Sequence, residues 1–573
     1  MISYRIAMPN PHSHLFAVTV AVDALAGPYV DLVLPSWTPG SYMIREYARH
    51  VQGFAAHSAA GPLPWRKLAK DCWRVETGEA TSVTVSYQVY ANDLTVRTSH
   101  LDGTHGYFNG ASVFMYVVGR EAEPLRLRVE PPAGWQVTTG LTLAGSADEF
   151  LAADYDELVD CPVECGTHRL LSFTVDGIVH QIAIWGQGNL DEERLVADTR
   201  RIVEVQRDFF GGLPYRHYSF ILHLVDGRGG GLEHRNSVTN QVDRWTFRPE
   251  RAYERYLALT SHELFHVWNV KRLRPAPLGP FDYRRENYSR LLWLMEGGTS
   301  YYDELLLVRA GLMQPGRYLE RLAEEIVLLQ SQPGRLLQSL EQSSFDAWIK
   351  LYRPDENSAN SSISYYLKGS LVCLLLDMEI RARSDGTYSL DDLLRRLYAA
   401  YPLSGPGIPE DGAVLAAVEE LTGDRQGGFR DFFAHYVSGV AELDYARALA
   451  VVGLEPRWER RGPRAWLGLS LKRQGERTLV SAVHADGPAS TAGVYAEDEL
   501  LALDGWRVDE KRLTARLEER TPGATVRLTL FRGDALVEVP VTLGEAPSDH
   551  LELVPLSEPS AAQQQAYRNW LGR

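Results

Sequence analysis

Cysteine is scarce in this sequence: Cys72, Cys161, Cys165 and Cys373 are the four thiols in 573 residues. That is too few to staple a chain of this size, which excludes a disulfide framework and fits a reducing compartment. An excess of basic residues is also missing. Lys and Arg number 59 against 74 Asp and Glu, a formal net charge of −15, the wrong sign for a protein that follows a phosphate backbone. No nucleic-acid partner is expected. No apolar run approaches the roughly 18 residues of a membrane-crossing helix; the stretch Leu371 to Leu376 stops at Asp377. The opening Met1-Ile2-Ser3-Tyr4-Arg5 lacks the basic start and apolar stretch of an export signal. No membrane association is expected, and the chain reads as cytoplasmic. Repeats with a period of about 20 to 50 residues are absent as well, which excludes a solenoid.

What is present is ordinary globular material, 45% apolar and 23% charged, enough for three or four units at about 150 residues each. The patterning divides it into a multidomain α+β chain. Over residues 1–170 apolar residues alternate with period two, as in Val83, Val85, Tyr87, Val89 and in Leu125, Leu127, Val129, which predicts an all-β domain resembling a sandwich. Over 171–456 the period changes to 3.6, with helical segments at Asp191–Phe210, Tyr253–Val270, Tyr288–Ala310 and Ser364–Arg383. A short strand region around Tyr218–Val225 leads into this mostly helical domain. Strand-like segments return over 464–546, among them Trp466–Leu471, Thr478–Val483 and Thr525–Phe531. The polar, Gln-rich tail 547–573 either docks or frays.

The chemistry concentrates in His262-Glu263-Leu264-Phe265-His266. Histidines at i and i+4 share one helical face and can reach one Zn²⁺, while the Glu between them sits beside the metal-bound water. With 16 His in the chain, this pattern arises by chance only about 0.03 times. A catalytic zinc takes three protein ligands and keeps one position open. Glu296, in the helical segment Trp293-Leu294-Met295-Glu296-Gly297, is the expected third ligand; Glu286, in the Arg-rich Arg284-Arg285-Glu286-Asn287, is its competitor. A second metal reading, a knuckle from Cys161, Cys165 and His168, lacks an evident fourth ligand and competes with simple buried thiols. The run Gly227, Gly229, Gly230, Gly231 lacks the Lys-Ser/Thr ending of a phosphate loop, so no nucleotide site is expected.

His262 to His266 followed by Trp293 to Gly297 resembles the zinc signature of the gluzincin metallopeptidases related to aminopeptidase N. Gly230-Gly231-Leu232-Glu233-His234 is similar to that clan's substrate-amine motif, and Tyr366-Leu367-Lys368-Gly369 to its catalytic-tyrosine motif. With Leu34-Pro35-Ser36-Trp37-Thr38-Pro39-Gly40-Ser41-Tyr42 and the small C-terminal domain, the chain resembles the glycyl-aminopeptidase family over almost its whole length. Trp466-Leu467-Gly468-Leu469 and Gly487-Pro488-Ala489 look like a bacterial-type PDZ domain.

The resemblance implies a thermolysin-like catalytic domain with one Zn²⁺ per chain on His262, His266 and Glu296. It makes Glu263 the base that activates the zinc-bound water and Tyr366 the donor to the oxyanion, with Tyr365 as the alternative. It implies that Glu233 holds the substrate's α-ammonium beside Gly230 and Gly231, and that small N-terminal residues, Gly or Ala, are preferred. Peptides are the implied substrates. In the PDZ domain, the turn Leu467, Gly468, Leu469 would cradle a peptide C-terminus; a domain that only packs on the peptidase is the alternative. The rival activities are a zinc endopeptidase and a non-catalytic PDZ peptide-binding scaffold.

Overall fold

The computed structural model describes residues 2–227, 229–424 and 426–572, which form two compact units. The first comprises Met1–Tyr288, Tyr302–Leu312 and Arg395–Pro409. Its N-terminal part is all β, as the alternation predicted. Leu15–Asp23 and Ser82–Tyr90 pair antiparallel with Val18 opposite Tyr87 and Val20 opposite Val85, so Phe16, Val18, Val20, Val22 and Val83, Val85, Tyr87, Val89 all enter one core. This pair lies within an eight-stranded sheet, and two four-stranded sheets complete the domain.

A five-stranded sheet follows, in the order Arg169–Val175, Ile178–Trp185, His217–Val225, Ser237–Asp243, Gly230–Glu233. The sequence pattern indicated a single strand region here. The difference has a physical cause: eight of the nine residues of His217–Val225 are buried, and strands covered on both faces show no period of two for a pattern to detect. The crossover from Ile178–Trp185 to the parallel His217–Val225 carries the helix Glu192–Phe210, started by the Asp191 side chain accepting from Arg194 N–H and ended by Gly211 at φ +82°. Gly230–Glu233 is the antiparallel edge strand. The helix Glu250–Phe265 carries the HExxH motif, and its Ser261 carbonyl accepts from Gln206 Nε2 at 2.7 Å.

The second unit comprises Ser289–Tyr301, Met313–Leu394 and Glu410–Arg573. The helix Leu292–Arg309 begins in it, and the helix Leu367–Arg383 crosses that helix where two glycines meet. A Cβ on Gly297 would lie 2.6 Å from Gly369 Cα and 2.7 Å from the Tyr365 carbonyl oxygen. Only hydrogen side chains allow this approach, which sets Glu296 and Tyr366 one residue from their respective contact points.

The C-terminal β-domain has its own core, including Val480, Leu528, Leu530 and Val541. Its sheet runs Leu469–Gln474, Arg477–Val483, Glu499–Leu503, Thr525–Arg532, Ala535–Thr542. The segments on either side of it, Leu454–Glu459 and His550–Pro555, pair with each other. The tail then docks: Ser560 and Gln563 form a capping box, and the helix Ala561–Leu571 buries Trp570, whose indole N–H donates to Tyr301 Oη at 2.9 Å. The whole is a multidomain α+β fold. No helix among the described residues is long and apolar enough to cross a membrane.

Gly297→Ala tests the helix crossing. Alanine normally favours a helix interior by about 1 kcal/mol over glycine, yet here the new methyl meets backbone that cannot rotate away, a strain of about 1–3 kcal/mol. The variant should melt below wild type in thermal denaturation; an unchanged or higher Tm would show that the helices can separate without cost.

Candidate active site

In the first unit, His262 lies in the last turn of the Glu250–Phe265 helix and His266 caps it. Each imidazole is oriented through Nδ1. His262 Nδ1 lies 3.2 Å from Asp303 Oδ2, and His266 Nδ1 lies 2.8 Å from the Asn269 carbonyl oxygen. Both acceptors hold the proton on Nδ1 and fix the tautomer whose Nε2 carries the lone pair, as metal-binding imidazoles require. The rings stand 4.7 Å apart at 84°.

Glu263 is buried beneath the edge strand, where a Cβ on Gly231 would overlap its carboxylate. Two residues on, Glu233 packs against Gly40, whose φ is +87° and whose Cβ would lie 2.5 Å from Glu233 Oε1. Glu233, Glu263 and His266 bring one donor atom each to within 4.8 Å of one another. Two buried carboxylates and an imidazole in that space form an acceptor-rich locus suited to a cation. Beside it, a cavity of about 20 Å³ is lined by Trp37, Gly40, Tyr42, Glu233, Val270 and Phe281. Val270 has φ +101°, a rare geometry for a β-branched residue and one that collects at functional sites.

In the second unit, Glu296 is buried near the start of Leu292–Arg309. That helix continues into the first unit, and Asp303, the partner of His262, stands seven residues beyond Glu296 on the same helical face. Glu286 lies in the irregular segment before this helix. Tyr366 is the N-cap of Leu367–Arg383, its hydroxyl 3.4 Å from that of Tyr352. Burial first, then Glu296, push the Tyr366 phenol well above its ordinary pKa, so it stays protonated and able to donate. Tyr365 is fully buried and stacks on Tyr366 at 4.7 Å.

Several contributors carry no local signal in the sequence. Asp160 accepts from Lys271 Nζ at 2.5 Å and Arg235 N–H at 2.9 Å, with His234 Nδ1 at 3.2 Å. Burial opposes its ionisation, but Lys271 and His234 hold its carboxyl well below the usual range. This network braces the chain just after Glu233 and after His266. Asn360 is another: its side chain donates to the Val483 carbonyl and accepts from Ala485 N–H, both at 2.8 Å, tying the Tyr366 segment to the C-terminal domain. Asp303 was the one detectable in principle, two turns from Glu296 on a predicted helix.

Other expectations resolve as follows. Gly468, at φ +74°, gives its carbonyl to His484 N–H; Leu467 gives its own to Ala489 N–H, and Leu469 opens the edge strand. Cys161 and Cys165 bury free thiols in the β core. Among the described residues neither joins a cluster able to hold a metal, so the knuckle is replaced by buried thiols; His168 faces Glu164 instead, at 4.0 Å.

Residues 3–167 match the Peptidase M61 N-terminal domain, 255–372 the M61 glycyl aminopeptidase domain and 465–543 a PDZ domain. The crystal structure of an aminopeptidase N family protein from Idiomarina loihiensis covers 100% of both chains at 31% identity and a TM-score of 0.92. An M1 zinc metallopeptidase from Deinococcus radiodurans, solved with a Tyr-Ser-Ala substrate, is 16% identical over 77% of this chain and 94% of that one, with a TM-score of 0.49. No curated protein matches. The fold and the HExxH helix thus define a metallopeptidase of the aminopeptidase type. Within that class, the chain belongs to the M61 glycyl aminopeptidase family and carries a C-terminal PDZ domain.

Lys368, in the tyrosine motif, yields a pH prediction. It is 1% exposed, its ammonium donates to the Arg335 carbonyl, and burial pushes its pKa down to about 8. The folded chain therefore binds this proton less tightly than the unfolded chain, so this residue's contribution to stability rises with pH between about 8 and the unfolded value near 10.4. Lys368→Met should raise Tm at pH 7 and lose that advantage towards pH 10; a difference from wild type that is constant with pH would contradict it.

Proposed function

We propose that the protein is a zinc-dependent aminopeptidase that removes small N-terminal residues from peptides, with one Zn²⁺ per chain held by His262, His266 and Glu296. The buried locus of Glu233, Glu263 and His266 at the glycine edge strand carries this reading. The oriented imidazoles support the metal assignment, and when bound, Zn²⁺ supplies Lewis acidity and lowers the pKa of water towards about 7. Glu263 takes the proton of the attacking water and passes it to the leaving amine. Tyr366 donates its O–H to the carbonyl oxygen as negative charge develops there. The edge strand at Gly230 and Gly231 takes the peptide backbone, and Glu233 pairs with the free α-ammonium, an orienting interaction because both charges are desolvated once the substrate is seated.

The cavity beside Glu233 supports a preference for Gly or Ala: about 20 Å³ has room for about one water-sized group. In the PDZ domain, Leu469–Gln474 is an edge strand paired with Arg477–Val483, which supports docking of a peptide C-terminus at Leu467, Gly468 and Leu469. Four free, buried cysteines support a reducing, cytoplasmic setting.

Two substitutions test the chemistry. Glu263→Gln should retain the metal and lose turnover, and retained turnover would remove Glu263 as the base. Tyr366→Phe should lower kcat by roughly 10² to 10³ with KM little changed; if Tyr365→Phe produces that loss instead, the donor is its neighbour.

The exopeptidase claim rests on the amine. On a panel of Gly-, Ala- and Leu-anilides with an N-acetylated Gly analogue, wild type should favour Gly and Ala and spare the blocked compound. Glu233→Ala should reduce kcat/KM on the free amines by at least about 10²-fold. Comparable rates on blocked and free amines would mark an endopeptidase.

A further inference from the structure

A second cluster of metal-ligating side chains lies in the first unit, away from the HExxH helix. Glu164 is on the strand Val163–Gly166 of an N-terminal four-stranded sheet, beside the antiparallel strand His105–Phe108. His223 comes from the central strand His217–Val225 of the five-stranded sheet, and His168 lies in the short connection between the strands Val163–Gly166 and Arg169–Val175. The side chains of His105, His168, His223 and Glu164 are all 0% exposed. His105 Nδ1 is 3.0 Å from Glu164 Oε1, His223 Nε2 is 2.9 Å from Oε2, and His168 Nδ1 is 4.0 Å from Oε1.

Hydrogen bonding alone leaves this group incomplete. His168 Nδ1 is buried with no hydrogen-bond partner and faces the carboxylate from beyond hydrogen-bond reach. Glu164 is a fully buried carboxyl whose ion-pair partners are imidazoles, a costly arrangement unless a cation compensates the charge. The donors also suit a metal. One donor atom each of His105, Glu164 and His223 lies within 4.8 Å of the others, and a tetrahedral ion with bonds of about 2.0–2.1 Å draws its ligands to about 3.4 Å. The far nitrogen of His105 is held as that of a metal ligand usually is: His105 Nε2 lies 2.9 Å from His100 Nδ1. The Trp185 ring stacks on His105 at 3.8 Å, fixing its plane.

We propose that His105, Glu164 and His223 form a second metal site that takes a divalent transition ion of the zinc class and joins the N-terminal β-domain to the catalytic sheet. Complete burial of its three donor side chains keeps substrate from the ion and makes the site structural, not catalytic.

Metal counting tests this on the full-length chain. After stripping, reloading with Zn²⁺ and desalting, elemental analysis should give two ions per wild-type chain. His262→Ala/His266→Ala should retain one, and adding Glu164→Gln to that pair should remove it. Should the triple variant fold poorly, Co²⁺ reloaded into His262→Ala/His266→Ala gives an independent reading: the intense visible bands of a four-coordinate ion are expected, and chelation should both bleach them and lower Tm. The proposal is overturned if His262→Ala/His266→Ala binds no metal, or if its remaining ion survives Glu164→Gln. If the double variant still holds two ions, the catalytic ligand assignment fails instead.

Discussion

Glycine backbone lies against buried carboxylates in the first unit, and the candidate site there depends on that contact. A methyl group on Gly231 would overlap the Glu263 carboxylate, and one on Gly40 would press on Glu233. With no side chains at these two positions, the edge strand and the Trp37–Tyr42 loop pack directly on the acids, which are buried where their charge is poorly screened. The same device recurs where Gly297 meets Gly369. There it sets the crossing of the helices that carry Glu296 and Tyr366.

Such dense burial of charge needs local compensation, since an unpaired buried ion costs several kcal/mol. Asp160 meets Lys271 and His234 behind Glu233. Asp377 takes Arg381 and the Tyr301 hydroxyl, and Tyr301 in turn accepts from Trp570. Each network fixes an element that bears a site residue without itself touching substrate.

The C-terminal domain is tied in at more than its covalent ends. Its flanking segments form their own two-stranded ribbon. Beyond Asn360, His484 Nε2 lies 2.9 Å from the Ser331 carbonyl, next to the residues that close the Leu467–Leu469 turn. The chain that reaches Tyr366 is therefore held six residues earlier by the PDZ domain, through the backbone groups of Val483 and Ala485.

Much of this architecture was legible in the sequence wherever the determinant is local. Alternation of Val83, Val85, Tyr87 and Val89 follows from the pleat of a half-buried strand, and the helices bearing His262, Glu296 and Tyr366 follow from a 3.6-residue period. The pair His262 and His266 is readable because one helical turn is short enough to put two imidazoles on one face. Tertiary structure decided the rest. It turned one predicted strand region into a five-stranded sheet, since strands buried on both faces lose their alternation. It brought Asp160 to Lys271 across 111 residues and Glu164 to His223 across 59. No periodicity encodes such meetings, because they depend on which faces of separate sheets and helices pack together, and that is settled by the burial of the whole chain.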